Sequence, residues 1–296
     1  MYWPFGDVDK KYLATGVSRR QMEPFDEEFL AQVKKHLLRS RGVDLSGYSS
    51  SFVMRAIKKR IARSDASSQV AYAKLLTRSD EETNQLLAAL SINVTEFFRD
   101  KGAFESFAEN AIRPLLQYKL STGGGIMRIW SAGCATGQET YTIMICVAEE
   151  LKRTPKAGSL ILSVTGTDIS RSAIAKAKKG IYTEEEVRGV SDKMLAEYFV
   201  MNGKDYEVTD ELAKRVRFHV ENLLGKPGAK YFDAVVCRNV LIYFSKPMHE
   251  LVMENLHEAL RPGGYLMLGR TEALMGQMRS KFDIIDQENR ILRKVC

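Results

Sequence analysis

The sequence predicts a helical N-terminal domain followed by an α/β domain built on a mostly parallel sheet. Between Phe25 and Leu90 apolar residues recur every three or four positions, the period of amphipathic helices. From Ile126 onward short apolar runs alternate with helical patterns, which implies right-handed crossovers and parallel strands. Within that region RIWSAGCATGQETYTIMI (Arg128 to Ile145) breaks an apolar run with small and glycine residues and then resumes at helical spacing. That pattern reads as strand, tight loop and helix, the junction at which α/β proteins hold polar ligands.

At 296 residues the chain has room for the α/β domain and one appendage. A hydrophobic content of 45% is that of a soluble globular protein. The opening MYWPFGDVDKKYLATG has neither the basic start nor the apolar core of a signal peptide, and no apolar run is long enough to span a bilayer. A cytoplasmic location without membrane insertion is therefore expected. Cys134, Cys146, Cys237 and Cys296 form no C-x-x-C pair, so reduced, mostly buried thiols are expected, with no disulfide framework and no metal site. A net charge of +7 and a pI near 9.1 admit nucleic acid, an anionic membrane or an acidic protein as partner.

Residues 1–22 show no sustained periodicity and read as a loose tail, ahead of a helical domain over 23–92. Phe25, Phe29, Val33 and Leu37 recur at four-residue intervals, and Arg41-Gly42 closes that helix with a basic last turn and a C-cap glycine. Further helices are expected over 51–63, 69–77 and 81–90. In VMRAIKKRIARSD, Arg55, Lys58, Lys59, Arg60 and Arg63 accompany Val53, Ala56, Ile57 and Ile61 at helical spacing, which makes either a solvated face or a docking surface for an acidic partner.

Residues 93–125 connect the two domains. SINVTEFFRD crowds Asn93, Thr95, Glu96, Arg99 and Asp100 around an aromatic pair, which suggests a lid whose Arg99 meets an anionic substrate; the plainer reading is an N-cap at Thr95 with surface charges. Phe104, Phe107, Ile112, Leu115 and Leu116 mark a helix kinked or started near Pro114, and Ser121 to Gly125 forms a connector.

The α/β domain is expected over 126–296. LILSVTGTDIS reads as its second strand, ending at Asp168, RVRFHVENLL as the third and FDAVVCRNVLIYF as the fourth. A helix over 248–260 follows, then a turn at Arg261-Pro262-Gly263-Gly264 into strand YLMLG, and FDIID with RILRKV forms a closing edge hairpin. YFVMNGKDYEVTDEL suggests short strands around Asn202-Gly203, a small insertion at about 190–215.

The glycine loop narrows the ligand. Only Gly133 and Gly137 are present, so the G-x-G-x-x-G of dinucleotide sites is missing, and no Lys-Ser or Lys-Thr follows to make a P-loop. Glu139 stands at the helix start, where it repels phosphate and suits a cationic group such as the amino group of S-adenosylmethionine. Asp168 ends its strand at the binding edge, able to accept ribose hydroxyls or to cap the next helix. Asn222 offers a paired donor and acceptor to an adenine edge, or is a turn residue. Cys237-Arg238-Asn239 meets the same crevice, with Tyr243 beyond it as a site or core aromatic.

Taken together and in order, NVTEFFRD, WSAGCATGQETYT, GTDIS, ENLL, CRNVLIYF and LRPGGYLMLGRTEAL resemble the CheR-type chemotaxis receptor methyltransferases from about residue 25 to the C-terminus. The resemblance implies a helical N-terminal domain and a Rossmann-like S-adenosylmethionine-dependent methyltransferase domain with a small inserted β-subdomain. It implies methyl transfer to glutamate side chains of receptor cytoplasmic helices, giving glutamate methyl esters and S-adenosylhomocysteine for adaptation in chemotaxis. It places cofactor contacts at Asn93, Thr95, Arg99, Glu139, Asp168, Asn222, Leu223, Arg238 and Asn239, with Arg99 and Tyr243 nearest the methyl-transfer centre. The basic stretch from Arg55 to Arg63 then docks the receptor's acidic helices. The chain departs from relatives in reading GCATGQET where a Glu-Glu-Pro sequence is frequent, and in a short insertion around 198–211, so no dependence on a receptor tail tether is expected. Neither the Asn/Asp-Pro-Pro-aromatic loop of amino-directed nucleic-acid methyltransferases nor a Pro-Cys nucleophile is present, so no nucleic-acid substrate is expected; nor is a metal, and the chain is expected to be a monomer.

Overall fold

The computed structural model describes residues 26–41, 43–90, 95–154 and 160–295; the expected tail, the Gly42 cap, Asn93 and Cys296 lie outside these. Four helices build the N-terminal domain: α1 (Glu27–Arg41), α2 (Ser50–Ile61), α3 (Gln69–Arg78) and α4 (Asp80–Leu90). Ser49 and Ser68 start α2 and α3, each hydroxyl accepting from a backbone N–H of the first turn. Phe29, Val33, Leu37, Phe52, Ile57 and Leu86 fill the core between the helices, as their spacing predicts. One member of the expected basic face turns inward instead. Arg60 Nε and Nη2 donate to Glu82 Oε1 and Oε2 at 2.9 and 2.7 Å, and the Tyr72 hydroxyl donates to the same carboxylate at 2.8 Å. Burial works against the Glu82 charge, but these hydrogen bonds prevail and hold its carboxyl below the usual range. Arg60 is thus a structural strut, whereas Arg55, Lys58, Lys59 and Arg63 of the same basic stretch are exposed.

The connecting segment leads into α5 (Lys101–Phe107), a π turn over Ala108–Ile112 and α6 (Arg113–Ser121). Pro114 sits at the start of α6, where its missing N–H costs least, and the π turn just before it takes up the expected kink. The α/β domain then runs β1 (Gly125–Ala132), α7 (Gln138–Arg153), β2 (Leu160–Asp168), α8 (Arg171–Lys179), β3 (Ile181–Thr183), α9 (Asp192–Tyr198), β4 (Phe199–Asn202), β5 (Asp205–Val208) and α10 (Asp210–Ala213). It closes with β6 (Val216–Val220), β7 (Phe232–Cys237), α11 (Lys246–Ala259), β8 (Leu260–Leu268), β9 (Phe282–Asp286) and β10 (Ile291–Lys294).

The main sheet has the order β6-β2-β1-β7-β8-β10-β9, with all strands running the same way except β10, which is antiparallel to both its neighbours, β8 and β9. Alternation along β1 sends Met127 and Ile129 into the core shared with Phe107, Ile112, Ile143 and Val147, and Trp130 and Ala132 into the opposite core with Val252 and Leu256. Each buried valine, leucine, isoleucine, phenylalanine or methionine side chain among these contributes about 1.5–3 kcal/mol. Connections diverge from β1, to β2 on one side and with β7 on the other, so a crevice opens at the carboxyl ends of β1 and β7. The short strands expected around Asn202-Gly203 form a separate antiparallel sheet, β3-β5-β4, turned at Gly203 with φ +66°.

Two sequence expectations give way. VLIYF does not prolong the fourth strand: β7 stops at Cys237, Asn239 takes a left-handed φ of 59°, and Leu241–Tyr243 forms a 3-10 turn. Arg261 to Gly264 is not a turn before a strand but lies inside β8, where the register slips between Phe232 opposite Leu260 and Ala234 opposite Tyr265. Its glycine-rich run is absorbed as a bulge.

Candidate functional site

The loop after β1 folds back over the end of β2. Gly133 and Cys134 N–H both donate to the Thr167 carbonyl, at 2.8 and 2.9 Å. Gly133 has φ +81°, and a Cβ there would lie 2.5 Å from Val240 Cγ2, so the close approach of the two loops requires glycine. Asp168 fastens this loop: its Oδ2 accepts from Ala135 N at 2.9 Å and its Oδ1 from Ser170 N at 2.8 Å. Ser170, not Asp168, caps α8, accepting from Ala173 N. Burial raises the Asp168 pKa against these backbone hydrogen bonds.

Between the loop, the Arg99 segment and the helical domain lies a cavity of about 620 Å³, within the range of roughly 300–1,000 Å³ typical of small-molecule sites. Glu139, in the first turn of α7, faces into it and accepts from Ser131 Oγ at 2.8 Å. Burial pushes its pKa up to about 7; Arg238, Ser131 and Arg99 pull it down, and Glu272 pushes it further up. A carboxylate so poorly compensated favours an added cation. Arg238 is 5% exposed, lies over the Phe104 ring at 5.0 Å, and has a buried Nε with no hydrogen-bond partner among the described residues.

Arg238 also braces the connecting segment. Its Nη1 donates to the Arg99 carbonyl at 3.0 Å and its Nη2 to Asp100 Oδ2 at 2.6 Å. Phe98 and Asp100 both adopt left-handed φ, 53° and 58°, and Phe98 N donates to Thr142 Oγ1 at 3.1 Å. Phe97 packs edge-on against Tyr182 and Phe199 of the small sheet. The segment is therefore a fixed wall that presents Arg99, and the N-cap alternative for Thr95 fails because α5 begins only at Lys101.

Thr95, Arg99, Glu139, Asp168, Asn222, Arg238, Asn239 and Tyr243 all line this one cavity. Leu223 does not: its side chain enters the core beside α11, and its carbonyl accepts from Asn255 Nδ2 at 3.0 Å. Tyr243 serves both readings, with its ring 4.8 Å from Phe52 and half-buried at the cavity. Burial raises its pKa, and the Arg99 charge opposes that rise. Two residues escaped the sequence reading. Tyr48 of the helical domain lines the cavity near Asp168, whose charge adds to the burial that raises the tyrosine's pKa. Glu272, in GRTEAL, is 2% exposed and gathers the backbone N–H groups of Gly269, Asn239, Val240 and Leu241. Its signal was an acid just beyond a strand end, the same placement that drew attention to Asp168.

The model of the CheR methyltransferase SAM-binding domain matches residues 93–291, and that of the CheR all-alpha domain matches residues 28–91. An uncharacterized 104.1 kDa protein of Rhodobacter capsulatus is 32% identical over 89% of this chain, which spans 27% of that relative's length. Chemotaxis protein methyltransferase 2 of Vibrio cholerae is 29% identical, with 88% of this chain and 89% of that protein covered. The chemotaxis protein methyltransferase of Salmonella typhimurium is 32% identical, with 80% and 81% covered.

Proposed function

Because the chain belongs to the CheR methyltransferase family, matched over both of its domains, we propose that it esterifies glutamate side chains on the cytoplasmic helices of chemoreceptors, with S-adenosylmethionine as methyl donor. The observation that carries this reading is the meeting of Glu139, Arg99 and Tyr243 in one cavity at the switch point of the sheet. The donor set suits the methyl donor group by group. The under-compensated Glu139 carboxylate takes its ammonium, Asp168 its ribose hydroxyls, and Asn222 the adenine edge. Arg238, with its Nε unsatisfied, suits its carboxylate.

Bound S-adenosylmethionine supplies a methyl group activated by the adjacent sulfonium, and in-line displacement joins that carbon to a glutamate oxygen as the sulfur–carbon bond breaks. A glutamate of pKa about 4.3 is already ionised at neutral pH, so the protein's work is alignment and desolvation. Arg99 orients the carboxylate, its place fixed by the Arg238 and Asp100 brace. Tyr243 shapes the entry and offers a hydroxyl. Docking falls to Arg55, Lys58 and Lys59 on α2 and to Arg63 just beyond its end. That helix starts at Ser49, whose N–H donates to the Tyr243 carbonyl at 2.9 Å, and Arg55 stands about 9 Å further along its axis. Removing the negative charge of a glutamate changes repulsion between neighbouring receptor helices, a direct way to bias a signalling equilibrium.

Mass-spectrometric mapping of chemoreceptor membranes after incubation with enzyme and S-adenosylmethionine tests this. Methyl groups are expected on glutamate side chains of the cytoplasmic helices; methylation confined to lysine, arginine or nucleic acid contradicts it.

A further inference from the structure

We propose that Glu272 is a positioning residue for methyl transfer, its carboxylate setting the backbone turn that delivers Asn239 and Tyr243 to the cavity. Glu272 Oε2 accepts from Asn239 N at 3.0 Å and Gly269 N at 2.7 Å, and Oε1 accepts from Val240 N at 2.9 Å and Leu241 N at 2.7 Å. Three successive N–H groups thus converge on one anion, the arrangement that elsewhere cradles a bound anion. Here the anion belongs to the chain itself. Asn239 holds a left-handed φ of 59°, unusual for a residue with a side chain, and the convergence on Glu272 compensates that strain.

A Cβ on Gly269 would lie 2.7 Å from Glu272 Oε2 and 2.9 Å from Asn239 N, so the strand end and the turn touch through bare backbone. From this turn Arg238 reaches the Arg99 segment, Val240 packs on Gly133 of the cofactor loop, and Tyr243 enters the site through the 3-10 turn. Glu272 acts on all three without lining the cavity itself.

Glutamine is the informative replacement, because its shape is preserved while its NH2 must face backbone N–H donors whichever way the amide is turned. In Glu272→Gln, kcat for receptor methylation should fall about 10²-fold, the penalty of roughly 1 Å misplacement at a reacting centre. The S-adenosylhomocysteine Kd should rise less than about tenfold, since the hydrogen bonds that hold Glu139 and Asp168 lie outside this turn and loss of the Glu272 charge favours the ionised form of Glu139. Amide hydrogen exchange at Asn239, Val240 and Leu241 should quicken while the helical domain keeps its protection. A kcat per folded molecule close to that of the unmodified enzyme overturns the proposal. So does weak protection of those three amides in the unmodified enzyme, a measurement that needs no variant. The inference rests on Arg99 and Tyr243 flanking the reacting centre, but the exchange experiment stands apart: an unmodified enzyme that methylates no receptor defeats the proposed function and leaves the role of Glu272 in the turn to be read from exchange.

Discussion

Glu139 carries a buried charge that links folding to the ligand proposed for the cavity. Unfolded, its pKa is near 4.5; folded and without a cation beside it, burial lifts that to about 7 against the pull of Arg238, Ser131 and Arg99, with Glu272 reinforcing the rise. Between those values the folded enzyme holds a proton that the unfolded chain has released, so this group's contribution to stability falls as pH rises from about 4.5 to 7. Binding an ammonium requires the ionised form. S-adenosylhomocysteine affinity, measured calorimetrically, should therefore strengthen by up to about tenfold per pH unit below 7 and level off above it, and Glu139→Gln should flatten that slope. At Arg99 the expectation concerns turnover. Arg99→Ala should lower kcat by about 10²–10³-fold and weaken cofactor binding far less; equal losses would reassign it to cofactor binding. Glu139 was legible because it stands where strand, loop and helix change over, and Arg99 because polar groups crowd around the aromatic pair in the segment between α4 and α5. Leu223 stands apart from its neighbour Asn222, which faces the cavity, because its own side chain fills the core. Glu272 stands just beyond a strand end, but three of its four partners, Asn239, Val240 and Leu241, lie more than thirty positions earlier in the chain, so its local setting does not record what it holds.

At the scale of elements, α2 shows how far helical periodicity reaches. It identified the buried face correctly, with Phe52, Val53, Ala56, Ile57 and Ile61 all inside. It could not tell that Arg60, on the flank of that face, finds Glu82 and Tyr72 from other helices. Removing one partner of a mostly buried pair costs about 3–5 kcal/mol, so Arg60→Ala should destabilise the protein by roughly 3 kcal/mol in denaturant titrations. Charge reversal at Arg55 and Lys59 should do the opposite: leave stability and S-adenosylhomocysteine binding near those of the unmodified protein while receptor methylation falls severalfold. Loss of cofactor binding in the reversal variant would remove α2 from the docking role. Strand identity was legible through apolar alternation, strand ends less so. β7 ends where Asn239 turns left-handed, and β8 starts before its glycines, because Leu260 opposite Phe232 and Tyr265 opposite Ala234 pair with β7 on either side of the unpaired Arg261 to Gly264.

Across the whole molecule, the helical domain is a wall of the site and not a separate appendage. Ser49 N–H donates to the Tyr243 carbonyl, Ser245 N–H donates to the Gly47 carbonyl at 3.0 Å, and Tyr48 pairs with Phe244 in an antiparallel bridge. Order along the chain predicted two domains; their contact came from residues whose local patterns describe only turns. Through it the basic helix and Tyr243 share one frame, so the docking and methyl-transfer roles proposed for them would be held in register. The most direct test of that account is transfer of tritium from methyl-labelled S-adenosylmethionine to chemoreceptor membranes, followed by mild alkali. Carboxyl methylation predicts label released as volatile methanol, in an amount that falls with Arg99→Ala. Label that survives alkali would place the methyl group on nitrogen or carbon and contradict the account.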